Sequence, residues 1–441
     1  VDDPTVLIPK PFGVYRNSLI NGNFDVWQRG NTFGNDNTIT GTLTNSLASL
    51  EQVRANPYVS PLGQRGGAQA DADIIKDQAY TCDRWKITNR SSDTYAITRG
   101  IFDYNSSTTT LPSGAASAKY YLKHNVSVAG NDQALSQRIE DVTTFDDESI
   151  TLSFYYKKLS DVDFSGTSTV DRIKANLSAF SDGVGSNLAN TDATSDAFEG
   201  SPLHGSELGF KFTSLGLTGP TFVVTEDWQK YKHTYTVPSI KGQLDQKGRG
   251  VTAGKGFWQL DLRPDSTTTV GWHGEMHFAQ VQLERGRRAT QFESLPKEIT
   301  LQRCERYFQK SIPQHLPPGS DDAALGGFNS TTEVKDDAVT TELFEYWSTP
   351  GCLKEEWQGS GGPSFRYKGT MRAVPEVLIY SPKDGERGNV FDALPSPDDN
   401  VEVDALTGVS DTGVTFFSMR TNDHTSNPID STWDWTADAE I

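Results

Sequence analysis

Cysteine is scarce. Cys82, Cys304 and Cys352 are the only three in 441 residues, they lie far apart, and none forms a C-x-x-C pair. A disulfide framework is excluded, a zinc site is disfavoured, and the expected state is free, buried thiols in a protein assembled in a reducing cytoplasm. No apolar run approaches the ~20 residues that span a bilayer, so membrane insertion is not expected. The first residues, Val-Asp-Asp-Pro, are acidic where a signal peptide needs a basic region, and export by such a signal is not expected either. Positive charge is in deficit: 40 Lys and Arg face 58 Asp and Glu, a formal net charge of −18. That balance opposes nucleic acid and anionic membranes as partners. There is no G-x-S-x-G, no Gly-rich phosphate loop, no spaced Cys/His set and no fixed-period repeat. With 58 acids, carboxylate pairs suited to glycoside cleavage arise trivially and carry no information. The expectation is a protein that is not an enzyme.

What is present is alternation. Only 35% of residues are hydrophobic, yet 10% are aromatic, a balance suited to a loop-rich β protein with small cores or one that completes its core through oligomer contacts. Period-two segments bounded by turn-formers occur at Tyr95–Phe102, Ala118–Val128, Ala134–Ile139, Ile150–Lys157, Ala175–Phe180, Thr221–Val224, Tyr231–Val237, Gly256–Leu262 and His273–Leu283. That cadence predicts an antiparallel β-sandwich. One helix is expected from about Pro296 to Lys310, with Ser294 as cap and Leu301, Cys304 and Phe308 on one face. Residues 1–18, with Pro4, Pro9 and Pro11, read as an attachment segment or linker. The composition restarts beyond Pro317-Pro318-Gly319. The expected organisation is therefore 1–18, a sandwich over 19–294 with an insertion at about 31–80, a helix over 295–312, and a smaller C-terminal β domain over 313–441.

Three motifs stand out. Leu19-Ile20-Asn21-Gly22-Asn23-Phe24-Asp25-Val26-Trp27-Gln28-Arg29-Gly30 alternates as a half-buried strand would, with Ile20, Gly22, Phe24 and Val26 on one face. Asp83-Arg84-Trp85-Lys86-Ile87-Thr88 reads as a second strand. Gln282-Leu283-Glu284 with Ala289-Thr290-Gln291-Phe292-Glu293 closes the region. Together they resemble a module of tailed-bacteriophage virion proteins with an "NGNFDxWQRG" opening, a "DRW" and a closing "QLE…AT.FE". The resemblance covers roughly residues 19–310. It implies a carbohydrate-binding-module-like jelly roll on a tail fibre or related appendage, with Asn21, Gly22, Asn23, Phe24, Asp25, Trp27, Arg29, Asp83, Arg84, Trp85, Gln282, Leu283 and Glu284 as structural motif residues and no active site.

Other clusters admit two readings each. His273, Glu275 and His277 would share a strand face and suit zinc or iron; an ordinary polar strand face is the simpler expectation. Jelly-roll carbohydrate modules often hold a structural Ca²⁺ near their first and last strands, where Asn23, Asp25 and Glu284 lie; no other cofactor is expected. Tyr346, Trp347, Trp357, Trp433 and Trp435 sit in polar C-terminal segments and are candidates for stacking a sugar or for burial at a subunit interface. Trp27, Trp85, Trp228, Trp258 and Trp272 read as core. The functional expectation is a virion fibre or appendage subunit, homotrimeric by the resemblance, made in the host cytoplasm. It would be joined to other virion proteins through its N-terminal segment and bind a host-surface glycan or protein without catalysis. A head fibre or capsid decoration protein and a glycan-degrading tailspike are the alternatives.

Overall fold

A computed structural model describes residues 15–34, 79–88, 94–103, 111–112, 115–130, 134–159, 172–180, 217–218, 222–240, 256–264, 272–312, 314, 355–357, 365–380, 388–392, 399–419, 429–432 and 434–440. The first strands are β1 (Thr32–Gly34), β2 (Ala79–Tyr80), β3 (Lys86–Thr88), β4 (Thr94–Ile101), β5 (Tyr120–Gly130) and β6 (Ala134–Glu140). Then follow β7 (Ser149–Lys158), β8 (Arg172–Phe180), β9 (Leu217–Thr218), β10 (Phe222–Val223), β11 (Gln229–Thr236), β12 (Phe257–Pro264) and β13 (Trp272–Arg285). They form two antiparallel sheets, ordered β1-β4-β5-β13-β7-β11 and β10-β8-β12-β6-β3-β2, with β9 on β8. The fold class is the expected all-β sandwich.

Alternation explains the packing. Ile150, Leu152, Phe154 and Tyr156 of β7, Ile173, Ala175 and Leu177 of β8, and Trp258, Leu260 and Leu262 of β12 all enter one buried cluster between the sheets. Each large apolar side chain there contributes roughly 1.5–3 kcal/mol on burial. Strand β13 needs a device to serve that core along its whole length. Met276 and Phe278 point inward, as do Val281 and Leu283, a change of parity. The register shifts between Ala279 and Gln282, and Gln280 takes a φ of 52°, so a bulge restores the inward phase.

The opening motif is not a strand. Residues 19–30 run as turns and irregular chain, with Asn21 at φ 58° and Phe24 at φ 56°. The Asn21 side chain replaces a neighbouring strand: its Oδ1 accepts from the Val26 N–H at 3.0 Å and its Nδ2 donates to the Val26 carbonyl at 2.9 Å. Asp83-Arg84 likewise lies in a turn, with Arg84 at φ 72°, and the strand begins only at Lys86.

The helix is shorter than expected. α1 spans Lys297–Glu305, with Pro296 at its N-cap and no side-chain cap bond, so Ser294 does not cap it. Phe308–Lys310 is instead a strand, β14, because a partner strand offers it backbone groups. The remaining strands are β15 (Glu355–Trp357), β16 (Phe365–Arg366), β17 (Glu376–Tyr380), β18 (Asn389–Asp392), β19 (Asp399–Val409), β20 (Gly413–Met419), β21 (Ile429–Thr432) and β22 (Asp434–Asp438). They form the sheets β14-β22-β17 and β15-β21-β18-β19-β20-β16. A second cluster, including Phe365, Tyr367, Met371, Ile379 and Trp435, packs among them.

Candidate functional site

The opening and DRW motifs meet in a buried polar junction. Gln28 donates from its backbone N to Asp83 Oδ2 at 2.7 Å and from Nε2 to Asp83 Oδ1 at 2.8 Å and to the Phe308 carbonyl at 3.1 Å. Arg29 reaches Asp438 at 3.0 Å and Glu440 at 3.4 Å. Arg84 pairs with the other oxygen of Glu440 and donates to the Arg138 carbonyl at 2.7 Å. Tyr307 lies 3.4 Å from the Arg84 guanidinium carbon and Phe308 3.9 Å from that of Arg29. Burial works against both charges, but Asp438, Glu440 and Asp83 around Arg29, and Glu440 beside Arg84, push their pKa values above the ordinary arginine value. Phe24, Trp27 and Trp85 are core, and Trp85 Nε1 donates to the Asn21 carbonyl at 3.1 Å. Gly22 abuts β13, its carbonyl accepting from Val281 N–H at 2.8 Å. These residues hold the sandwich to the C-terminal strand.

The closing motif is a staple. Glu284 accepts from Thr290 N at 2.7 Å, Thr290 Oγ1 at 2.7 Å and Gln282 Nε2 at 2.9 Å. Gln282 Oε1 accepts from Glu293 N, and Glu293 in turn accepts from the backbone N–H of Arg16 and Asn17. Leu283 is fully buried. The Glu284 carboxylate is thus engaged by the loop that follows it. Asn23 donates to Asp25 at 3.0 Å, and burial raises the Asp25 carboxyl above its ordinary value. Among the described residues no group of three His, Cys, Asp or Glu side chains is placed to hold a metal ion. The side chain of His273 lies outside them.

Of the aromatic candidates of the C-terminal segments, Trp435 alone has a described side chain. Tyr346, Trp347 and Trp433 lie outside the described residues, and Trp357 is placed only as part of β15. Trp435 is 2% exposed and stacks on Phe365 with ring centroids 4.8 Å apart. Its polar neighbours in sequence suggested exposure; the alternation of β22 turns it into the second core instead.

A different surface gathers the chemistry. On the outer face of the six-stranded sheet, pairing registers set side chains in rows. Ala96, Asn125 and Glu275 form one; Thr98, Lys123, His277 and Lys157 form the next. Gly100 pairs with Tyr121, and Ala279 with Tyr155 and on to Lys230, along the third. The small residues leave room for rings. Phe102, Tyr121 and Trp228 cluster with centroids 4.8–5.6 Å apart, and His277 lies 4.9 Å from Tyr121 and 6.1 Å from Trp228. Lys123, Asn125, Thr98 and Glu275 stay partly exposed beside them.

Two polar atoms in this patch are buried without a partner, Trp228 Nε1 and His277 Nδ1. Burial lowers the His277 pKa, so its ring is neutral at pH 7; burial raises Glu275, but His277, Lys123 and Lys157 bring it below its ordinary value. His277 Nε2 therefore carries the proton shared with the Glu275 carboxylate, and Nδ1 is left as an acceptor. Trp228 offers a donor. Both atoms are closed to solvent, as are the rings around them: Phe102, Tyr121, Tyr155 and Trp228 are 5–8% exposed and form a buried cluster with Ala118 and Ala279. Sequence reading assigned Trp228 to the core, where the structure places it, and weighed His277 as a metal ligand against an ordinary polar strand face. The useful signal was the spacing Tyr121/Lys123, Tyr155/Lys157 and Glu275/His277, which puts ring and charge on one strand face.

No family model matches the chain, and no curated protein matches it in sequence. Among solved structures, one described as "CBM4 structure and function" is similar over 45% of this chain and 90% of its own, at 13% identity and a TM-score of 0.22. The CBM22-1 xylan-binding domain of Paenibacillus barcinonensis Xyn10C is similar over 46% and 87%, at 12% identity and a TM-score of 0.21. The enzymatically active domain of bacteriophage CBA120 tailspike protein 4 is similar over 46% of this chain and 19% of its own, at 14% identity and a TM-score of 0.24. These are distant, partial likenesses to carbohydrate-binding β-sandwiches and to a phage tailspike domain, too remote to transfer a ligand or an activity.

Proposed function

We propose that this protein is a structural subunit of a tailed-bacteriophage appendage that holds a host-surface glycan, without catalysis, on the outer face of its six-stranded sheet. One observation carries the binding site: Thr98, Lys123, Asn125 and Glu275 stay partly exposed in adjacent rows of that face, beside the buried cluster of Tyr121 and Trp228. The phage assignment is supported by the three sequence motifs. In this reading the chain assembles as a homotrimer in the virion, attaches to other virion proteins through its N-terminal segment, and multiplies weak contacts by copy number.

The test is retention of the purified chain on immobilised capsule and lipopolysaccharide preparations from candidate hosts. Asn125→Ala removes a partly exposed amide from that face and leaves the buried rings untouched, and should weaken retention about fivefold. Release of reducing ends from any bound polysaccharide would replace the proposal with the enzyme reading. Immunogold labelling of intact particles supplies the location: gold at the tail end supports host recognition, and gold scattered over the head makes this a decoration protein.

A further inference from the structure

The charge of this chain is unevenly placed. Residues 313–441 hold 23 Asp and Glu against 8 Lys and Arg, whereas residues 1–312 hold 35 against 32. Most of the net charge of −18 therefore belongs to the C-terminal region. The sandwich carries the opposite sign along one edge. Strand β11 is, among the described residues, the last of its sheet. Tyr231 and Tyr235 turn into the core, so Lys230 and Lys232 stand on the outer face, exposed and about 7 Å apart along the strand. The loop after β13 runs beside them: Thr234 Oγ1 donates to the Arg287 carbonyl and Lys230 Nζ to the Thr290 carbonyl, each at 3.3 Å. That loop adds the exposed Arg287 and Arg288. Among the described residues no carboxylate pairs with any of these four cations. Arg287 Nε donates to the Ser149 hydroxyl, while Glu148 is held by Arg285 and Glu284 by Thr290 and Gln282. Glu226 and Asp227 precede the strand and Asp147 lies beyond its far end, so the middle of the stripe is of one sign.

The acidic region of the same chain is tied elsewhere. Arg29 and Arg84, which hold Asp438 and Glu440, sit beside β2 and β3. Strand β11 lies instead over β10 and β8: the Tyr231 ring is 4.1 Å from that of Phe222, and Tyr235 Oη donates to the Ala175 carbonyl at 2.9 Å. Strands β10 and β2 are opposite edges of the second sheet, roughly 24 Å apart at ~4.8 Å per strand. An exposed stripe of one sign on a protein of the other sign steers and orients an acidic partner. We infer that this stripe receives the acidic C-terminal region of a second copy of the chain. Such a contact joins two different patches, so it is heterologous and closes into a ring where the rotation allows. The inference rests on the self-assembly proposed above and supplies its surface; it does not involve the glycan face.

The experiment uses the full chain. Sedimentation velocity over a concentration series, at low and high salt, reads self-association. A carbodiimide, which joins a lysine amine to a carboxylate in contact with it, is then applied to an equal mixture of isotopically light and heavy chains. The expected result is assembly that weakens with salt, because exposed charges are screened. Cross-links should pair Lys230 or Lys232 of one isotope with carboxylates of residues 313–441 of the other. Reversing two exposed cations together, Lys232→Glu with Arg288→Glu, should weaken association about tenfold. Lys119→Glu, a reversal of another exposed lysine beside β5, should leave it unchanged. Cross-links confined to one isotope would make the contact internal to each chain and overturn the inference. Association indifferent to the double reversal would overturn it too and leave self-assembly standing through another surface. A chain that stays monomeric yet binds inorganic polyphosphate through these residues would make the stripe a site for a foreign polyanion. Absence of association at every concentration would overturn both the inference and the assembly reading.

Discussion

Glu440 is the carboxylate on which the junction between the sandwich and the C-terminal strand depends. Its two oxygens meet different arginines, one from each N-terminal motif. The side chains of Arg29, Arg84 and Glu440 are 0%, 1% and 4% exposed, so water cannot replace a lost partner. Replacing Glu440 by Gln keeps size and one acceptor but removes the charge. Arg29 still has Asp438 at 3.0 Å; Arg84 keeps the Arg138 carbonyl and the Tyr307 ring. The cost therefore falls mainly on Arg84. Breaking a buried ion pair from one side costs about 3–5 kcal/mol. Because Gln retains an acceptor, the expectation is the low end, about 3 kcal/mol. Urea unfolding of wild type, Glu440→Gln, Arg84→Met and the double variant gives the pairwise coupling directly. The double variant should lose less than the sum of the singles, since it leaves no stranded charge. A Glu440→Gln loss under about 1 kcal/mol, or additive single losses, would refute the view that this pair anchors the junction.

Three further outcomes follow from the same geometry. Lys310 donates to the Gln28 carbonyl at 2.6 Å, and burial lowers its pKa from 10.5 to about 7. The unfolded chain thus holds a proton the folded chain lacks between about pH 7 and 10.5, and this residue's stability contribution, full above that window, is lost as pH falls through it at ~1.4 kcal/mol per unit. Subtracting the stability–pH curve of Lys310→Met from that of wild type should expose this slope; parallel curves would contradict it. A Cβ at Gly22 would sit 2.0 Å from the Val281 carbonyl oxygen, so Gly22→Ala should cost roughly 2–4 kcal/mol in thermal or urea unfolding, and an unchanged midpoint would show that the turn can move. At Gly100 a Cβ would meet the Tyr121 ring at 2.3 Å. Gly100→Ala should therefore push that buried ring against Phe102, Trp228 and His277 and cost about 1–3 kcal/mol in urea unfolding; an unchanged midpoint would show that the cluster can repack.

Strand content was legible from the sequence because alternation is a local property. The segments at Ala134–Ile139 and Ile150–Lys157 need only a period-two pattern, and the strands observed there match within a residue or two. The opening motif also alternates, but Asn21 and Phe24 at positive φ and the side-chain bonds of Asn21 to residues 26 and 83 make it a turn. No local pattern carries a bond across 62 residues. Helix length failed for the same reason: Phe308 leaves the helix to pair with Asp438, a partner distant in sequence. Trp435 shows the limit of composition, since polar neighbours suggested exposure while its pairing across from Ile379 directs it inward. The sequence by itself determined an all-β chain with a net charge of −18. Only the tertiary structure decided that the opening and DRW motifs form a buried junction, and that Lys123, His277 and Lys157 stand in one row beside Trp228. Which charges and rings share a face is set by the register between strands, and register arises only when the strands pair.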